Sequence, residues 1–365
     1  MKNTFGCSIA VTIFGESHGE YIGAVIDGLA PGIKIDDAYI KAKLAERRPQ
    51  GRISTARVEA DEYRIISGVF EGYTTGTPIT AIIPNTNKRS ADYTNISIVA
   101  RPGHADYTAE CKYHGYQDFR GGGHFSGRIT AAVVLAGAIL SSALIKKGIR
   151  IGTHISYLKG VSDRAFENYE DDIASLASSH FPTLSVESGD DMRRVIEAAA
   201  NDGDSVGGVL ETAVIGLPAG LGEPWFDSFE SMLSHGLFSV PGIKGVEFGA
   251  GFRMADMLGS EANDPIVAKD GKVYTETNNN GGINGGITNG MPVIVRTAVK
   301  PTPSIYKPQR SVDIRTLENK ELKIEGRHDP AIIHRARSVV DAVCAIVIAD
   351  MLSARYGTDY LASEK

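Results

Sequence analysis

The residue types best suited to chemistry gather between Arg101 and Thr130, RPGHADYTAECKYHGYQDFRGGGHFSGRIT. Imidazoles at 104, 114 and 124 can give or take a proton near neutral pH. The guanidiniums of Arg101, Arg120 and Arg128 suit phosphate and carboxylate. Gly121, Gly122, Gly123 and Gly127 would let backbone N–H groups approach an anion, and a helix expected to begin near Ser126 would add its N-terminal donors. The stretch therefore reads as a loop that binds an anion and moves protons. Two more basic segments share its character. ERRPQGRISTAR sets Arg47, Arg48, Arg52 and Arg57 around Pro49 and Gly51, a frame that no helix face can absorb, and KPTPSI places Lys300, Thr302 and Ser304 on a Pro-stiffened backbone. In GRHDP, Arg327, His328 and Asp329 precede a helix, where Asp329 could equally be an N-cap. GESHG, with Ser17 and His18, formally matches the G-x-S-x-G of serine hydrolases. That motif needs a strand before it and a helix after it; the YIGAVIDG that follows is strand-like, so the context disagrees.

These groups belong to a chain of 365 residues that is 42% hydrophobic and 22% charged, an ordinary globular composition with room for one large domain or two. The formal net charge of −6 argues against bulk nucleic-acid binding and makes the local basic clusters stand out. Cys7, Cys111 and Cys344 are odd in number and widely spaced, which suggests no disulfide framework, no metal site and a reducing, cytoplasmic setting. The N-terminus lacks a basic-then-apolar leader. The longest apolar run, 129–145, is short and Ser-interrupted for a bilayer span, so no membrane association is expected.

The elements that must position the site follow from periodicity. Residues 7–14 and 21–26 are expected to form a hairpin, 36–47 a helix capped by Asp36 or Asp37, and 58–64 and 65–69 strands, with a further strand after GYTTGTPI. Residues 129–145 should be a buried helix, 160–182 a polar surface insertion, 190–201 an amphipathic helix and 269–289 a mobile Asn/Gly loop. A second apolar helix is expected over 336–352. Three segment pairs recur in the same order: GESHG with GDSVG, GYTTGTPITAI with GITNGMPVIVR, and the GR at 127 with the GR at 326. The pairing implies an α+β fold made of two duplicated halves, about 1–150 and 190–356, related by a pseudo-twofold within one domain. Val206 then stands where the first half has His18, which marks the histidine as a specialisation of one half.

Taken together, GESHG, RPGHADYT, RGGG followed by SGR, GGITNG, KPTPSI and GRHDP in this order resemble the chorismate synthase family over roughly positions 6 to 356. The resemblance implies a β-α-β sandwich with internal pseudo-symmetry, assembled as a homotetramer. It implies a lyase that eliminates phosphate from 5-enolpyruvylshikimate 3-phosphate in the anti-1,4 sense to give chorismate, with reduced FMN as cofactor and no net redox change. By similarity His18 would protonate the departing phosphate, His104 would hold the proton balance of the reduced flavin, and Asp329 would take a proton at the flavin N5. Arg47, Arg52, Arg101, Arg128 and Arg327 would bind the substrate's phosphate and carboxylates. His124, Phe125, Ser126, Pro241, Gly242, Gly285, Lys300, Pro301, Thr302, Pro303, Ser304 and Arg327 match positions facing the cofactor. The chain departs from the usual GGGRSSAR in reading GGGHFSGR, and its loop after Arg48 is one residue shorter than the common form. His114 fits no catalytic position and is taken as structural. No appended reductase domain is evident, which favours an external flavin reductase. The competing readings are a Ser17 hydrolase and a non-catalytic flavin- or phosphate-binding module.

Overall fold

Two five-stranded antiparallel sheets enclose a layer of helices in the computed structural model, which describes residues 2–49, 53, 61–86, 99–177, 179–324, 326 and 328–363. Of the expected strand over 58–64, residues 58–60 lie outside the described residues, as do Arg52, Arg57 and Arg327; residues 61–63 are irregular and strand pairing begins only at Arg64. The first sheet is built from β1 (Thr4–Phe5), β2 (Ala10–Gly15), β3 (Tyr21–Asp27), β4 (Arg64–Ser67) and β5 (Ile79–Pro84), in the order β1-β2-β3-β5-β4. The second comprises β6 (Arg150–Leu158), β7 (Val161–Ser162), β8 (Gly208–Ile215), β9 (Ile243–Phe248) and β10 (Val293–Val299), ordered β9-β10-β8-β6-β7. The helices used below are α1 (Asp37–Glu46), α2 (Asp106–Tyr113), α3 (Thr130–Lys146), α4 (Tyr169–Ala177), α5 (Val186–Asn201), α6 (Phe229–Phe238) and α7 (Ile333–Tyr356).

The same plan is traced twice. In the first half the chain runs β2, β3, α1, β4, β5, α3; in the second it runs β6, β8, α6, β9, β10, α7, and the strand orders superimpose as β4-β5-β3-β2 on β9-β10-β8-β6. Two of the sequence pairs fall on matching elements, the tight turns before β3 and β8 and the strands β5 and β10; of the third, Gly127 lies just before α3 and Gly326 seven residues before α7, with Arg327 outside the described residues. The halves differ mainly between their first two strands. Residues 16–20 suffice in the first half, whereas β7, α4 and α5 intervene in the second. The stretch 160–182 is more than a surface insertion, because α4 buries Ile173 and Leu176 on one face.

Alternating burial along β5 and β10 supplies an apolar inner face to each sheet, and α3 and α7 fill the space between them. The helical run Gly127–Lys146 is long and apolar enough by composition to cross a membrane, more so than its sequence suggested, yet it is mostly buried as a core helix. Its close approach to α7 depends on Gly137, where an added Cβ would lie 2.4 Å from Ala342 Cα and 2.7 Å from its carbonyl oxygen. A second tie joins the halves: the Asp350 carboxylate on α7 accepts the backbone N–H groups of Cys7, Ser8 and Ile9 at 2.7 to 3.1 Å. That cap explains why the expected strand at residue 7 starts only at Ala10.

Residues 269–289 also differ from expectation. Lys272–Thr275 pairs with Ile266–Lys269, and the Asp264 carboxylate binds Thr277, Asn279 and Asn280, so the Asn/Gly run is a cross-linked turn. Gly137→Val should destabilise the fold by ~3 kcal/mol, the upper end for overpacking, because the obstructing atoms are backbone. A lowered urea midpoint at unchanged slope checks this; an unchanged midpoint would mean that α3 and α7 do not cross so closely.

Candidate active site

The turn carrying His18 and the glycine run fit together as one piece. Gly121, Gly122 and Gly123 all have positive φ; a Cβ on Gly121 would sit 2.2 Å from His18 Cε1, and one on Gly123 would sit 1.9 Å from the Asp118 carbonyl oxygen. Only glycine lets this loop wrap the imidazole. Ser17 completes the contact: its N–H donates to the Gly123 carbonyl at 3.1 Å, and its hydroxyl lies 3.1 Å from the carbonyls of Arg120 and Gly121 and 3.1 Å from His18 Nδ1. Ser17 is thereby engaged and buried, and β3 follows it in place of a helix, as the hydrolase alternative could not tolerate. The expected helix start at Ser126 is displaced: Ser126 caps a short 3-10 turn by accepting from Arg128 N–H, and α3 itself begins at Thr130.

Two guanidiniums are brought together beside this turn by a carboxylate that the sequence reading missed. Asp61, almost wholly buried and itself at φ 51°, gives one oxygen to Arg47 Nη1 at 3.1 Å and the other to Arg128 Nη1. Arg47 also reaches Thr130 Oγ1 and the Gly127 carbonyl at 3.0 Å, and Arg128 Nε reaches Asn85 Oδ1 at 2.9 Å. Arg101 is likewise held: Nε and Nη2 each donate to the Asp106 carboxylate at 2.8 Å. Burial acts to raise Asp106, but its hydrogen bonds to Arg101 outweigh that and hold it below the usual range. Asp329 pairs with Arg335 at 2.7 Å, and Arg335 reaches back to the Arg47 carbonyl at 2.8 Å.

The loop at 101–104 is clasped by the second half. Lys300 Nζ donates to the Gly103 carbonyl at 2.6 Å, Ser304 Oγ lies 2.9 Å from His104 Nε2, and the left-handed Gly103 sits against Pro303 with no room for a Cβ. His104 Nδ1 lies 3.1 Å from the Pro102 carbonyl, which can only accept, so Nδ1 carries the proton and Nε2 faces the serine hydroxyl as acceptor. Burial and then Arg101 push His104 down to about 4, so it is neutral at pH 7 rather than the ready acid that an ordinary imidazole would be. Burial, then Lys244, lowers Lys300 as well.

Most of these groups line one cleft of about 1590 Å³, with Ser17, Gly123 and Asn85 behind its wall. His18, His104, Asp329, Arg47, Arg101 and Arg128 face it, as do His124, Phe125, Ser126, Pro241, Gly242, Lys300, Thr302, Pro303 and Ser304. Gly285 and Pro301 do not; both are exposed, and Gly285 lies in the turn joining Ile283–Asn284 to Ile287–Thr288. The departure at 124–125 has a local explanation: His124 Nδ1 bonds the Gly15 carbonyl at 2.8 Å, and Phe125 packs edge-on against Tyr113. His114 ends α2 in a left-handed conformation outside the cleft lining. The sequence reading also passed over Arg335, Lys244 and the cleft-lining role of His328. An acid beside an arginine run was the available signal for Asp61; nothing local marked Arg335, which lies inside a helix.

A two-half α+β sandwich with a basic, histidine-lined cleft between the halves is the architecture of an enzyme for a small anionic substrate. The family model described as chorismate synthase matches residues 9–353. Relatives named chorismate synthase include those of Thermococcus gammatolerans, 48% identical over 96% of this chain and 97% of that protein, and Pyrococcus abyssi, 47% identical over 95% and 96%. A solved structure titled as the crystal structure of chorismate synthase aligns with a TM-score of 0.76 and 29% identity, covering 98% of this chain and 95% of that one. The chain belongs to the chorismate synthase family.

Asp61→Asn should destabilise the protein by ~3 kcal/mol in urea unfolding, because it leaves two buried guanidiniums without their shared counter-charge. The depressed His104 also sets a pH dependence. Above about pH 6.5 the imidazole is neutral in both folded and unfolded chains; as pH falls from there toward 4 only the unfolded chain takes the proton, so stability is lost across that window. His104→Gln should flatten the fall in melting temperature between pH 6.5 and 4, and an unaltered slope would place the titration elsewhere.

Proposed function

We propose that this chain eliminates phosphate from 5-enolpyruvylshikimate 3-phosphate in the anti-1,4 sense, giving chorismate, with reduced FMN held in the same cleft. The observation that carries the reading is the convergence of proton-handling and anion-binding groups from both halves on one cleft: His18, Arg47 and Arg128 from the first, Lys300, Thr302, Ser304 and Asp329 from the second. The cleft exceeds the usual 300 to 1,000 Å³ of a single-ligand pocket, so substrate and cofactor fit side by side.

The residues present also suit the flavin. Thr302 Oγ1 and His328 Nε2 are buried in the cleft lining with no hydrogen-bond partner among the described residues, a cost that a polar ligand would relieve. Lys300 and Lys244 supply cations for its phosphate, while Pro241, Gly242, Ile332 and Val339 supply apolar wall for its rings. The Lys300–Ser304 segment, with Ser126, His124 and Phe125 opposite, would hold the cofactor. Reduced FMN, when bound, supplies the electron-rich ring that assists cleavage of the C–O bond.

The chain's own groups do the remainder. Arg47 and Arg128 offset the charge of the substrate phosphate, and Arg52 and Arg327 extend the set by similarity. His18 donates a proton to the leaving phosphate oxygen, since phosphate departs poorly as a fully charged anion. His104, neutral in the protein alone, gains a proton at Nε2 when anions arrive to oppose Arg101, and Ser304 stands beside that atom to accept the hydrogen bond. Asp329, fixed by Arg335, is placed to receive a proton from the reacting pair.

We infer further that the protein works as a homotetramer in the cytoplasm with flavin reduced by an external partner. The exposed Trp225 and Phe226 are apolar surface that assembly would cover, and all three cysteines are free thiols. Anaerobic incubation with the substrate and reduced FMN should release chorismate and phosphate together. His18→Ala and His104→Ala should each lower kcat by ~10²-fold or more without unfolding the protein. NADPH with oxidised FMN should leave the flavin spectrum unchanged. Folded protein that binds both ligands and forms no chorismate would sink the lyase reading.

A further inference from the structure

The carboxamide of Asn85 joins the substrate arginine to the proton donor. Asn85 directly follows β5 and is only 8% exposed. Its Oδ1 accepts from Arg128 Nε at 2.9 Å, and its Nδ2 donates to the carbonyls of Glu16 and Gly19, both at 3.0 Å. Its backbone N–H donates to the Glu20 carbonyl at 3.0 Å. A guanidinium can only donate and a carbonyl can only accept, so one orientation of the amide satisfies every partner and the flipped one satisfies none.

The two carbonyls are those that bracket Ser17 and His18. One planar group therefore touches Arg128 on one side and both ends of the His18 turn on the other. Other hydrogen bonds of these groups lead elsewhere. Arg128 Nη1 and Nη2 go to Asp61 and the Pro84 carbonyl, while Ser17 fastens the turn to the glycine run. Asn85 hydrogen-bonds to both.

We propose that Asn85 is a positioning residue that locks the Arg128 guanidinium and the His18 turn into one rigid unit, so that the anion and its proton donor keep a fixed relation. The proposal rests on the roles given to Arg128 and His18 above, and it assigns to Asn85 no contact with substrate. Aspartate cannot replace it. A carboxylate would keep the Arg128 acceptor but lose both donors and set an oxygen against two carbonyl oxygens. Arg128 contributes to binding already in the ground state, whereas a proton from His18 matters only as the bond breaks, so a residue serving both must change KM and kcat together.

The test uses the full chain with Asn85→Ala and Asn85→Asp. It measures kcat and KM for 5-enolpyruvylshikimate 3-phosphate under anaerobic, flavin-saturated conditions, inorganic phosphate affinity by calorimetry, and urea unfolding as the fold control. For Asn85→Ala the expectation is a ~10-fold rise in KM and in the phosphate dissociation constant, the worth of one charge-assisted bond, together with a kcat lowered by ~10-fold or more in protein that still unfolds cooperatively. Asn85→Asp, of the same size, keeps the acceptor for Arg128 and should show the kcat loss in protein that still unfolds cooperatively. A change in KM alone would reduce Asn85 to a prop for Arg128. Unchanged constants in folded variants would leave it a packing residue; either result overturns the proposal. The phosphate measurement stands even where the wild-type protein forms no chorismate. In that arm Asn85→Ala combined with His18→Gln should cost less than the sum of the two single changes, and strict additivity would refute the coupling.

Discussion

Like charges crowded into a half-buried cleft repel one another, and the arrangement of this site follows from how that repulsion is contained. The polyanionic substrate proposed above calls for several cations, but cations held close without compensation would unfold the walls that carry them. The protein answers with one carboxylate per arginine or pair of arginines: Asp61 between Arg47 and Arg128, Asp106 on Arg101, and Asp329 on Arg335. Each carboxylate fixes the guanidinium's plane as well as its charge. The cleft is thus pre-organised, with donors aimed before the ligand arrives, which is the condition for electrostatic stabilisation of a developing anion.

The duplicated frame explains where these groups come from. Both halves offer a tight turn before a central strand, and in both the turn is pinned by a backbone hydrogen bond to the segment leading into that half's own long helix: Ser17 N–H to the Gly123 carbonyl ahead of α3, Val206 N–H to the Pro330 carbonyl ahead of α7. The first half spends its copy on His18. The second places a buried valine there and contributes instead the segment after β10, where Lys300 and Ser304 grip the 101–104 loop. A symmetric scaffold with unlike residues at equivalent points yields an asymmetric cleft. The α3–α7 contact at Gly137 and the Asp350 cap hold the halves at that separation.

Much of this was legible in the sequence because it is local. The strand pair around GESHG, the helix at 36–47, the two apolar helices and the repeat pairs all rest on periodicity or turn chemistry within a short window, and all have counterparts in the fold. What escaped depends on partners far along the chain. Asp61 is an unremarkable acid until Arg128, 67 residues away, reaches it. The loop at 269–289 reads as mobile until Asp264 is seen to bind its Asn279 and Asn280. Asp350, 341 residues from Ile9, could not have been matched to the N-terminal segment by any pattern.

The glycine run shows why residue type alone misassigns a role. Three consecutive glycines beside arginines suggest backbone donors curled around an anion, and general principle supports that reading. Here the left-handed turns at 121–123 bring the chain against His18 and Asp118, and the carbonyls of Arg120, Gly121 and Gly123, rather than N–H groups, face Ser17. Carbonyls repel an anion, so they cannot form its cradle; they can only restrain the residues that meet it. The glycines act on chemistry at one remove, by removing the side chains that would keep the loop from closing over the imidazole. The anion-binding task falls to guanidiniums whose planes are fixed elsewhere.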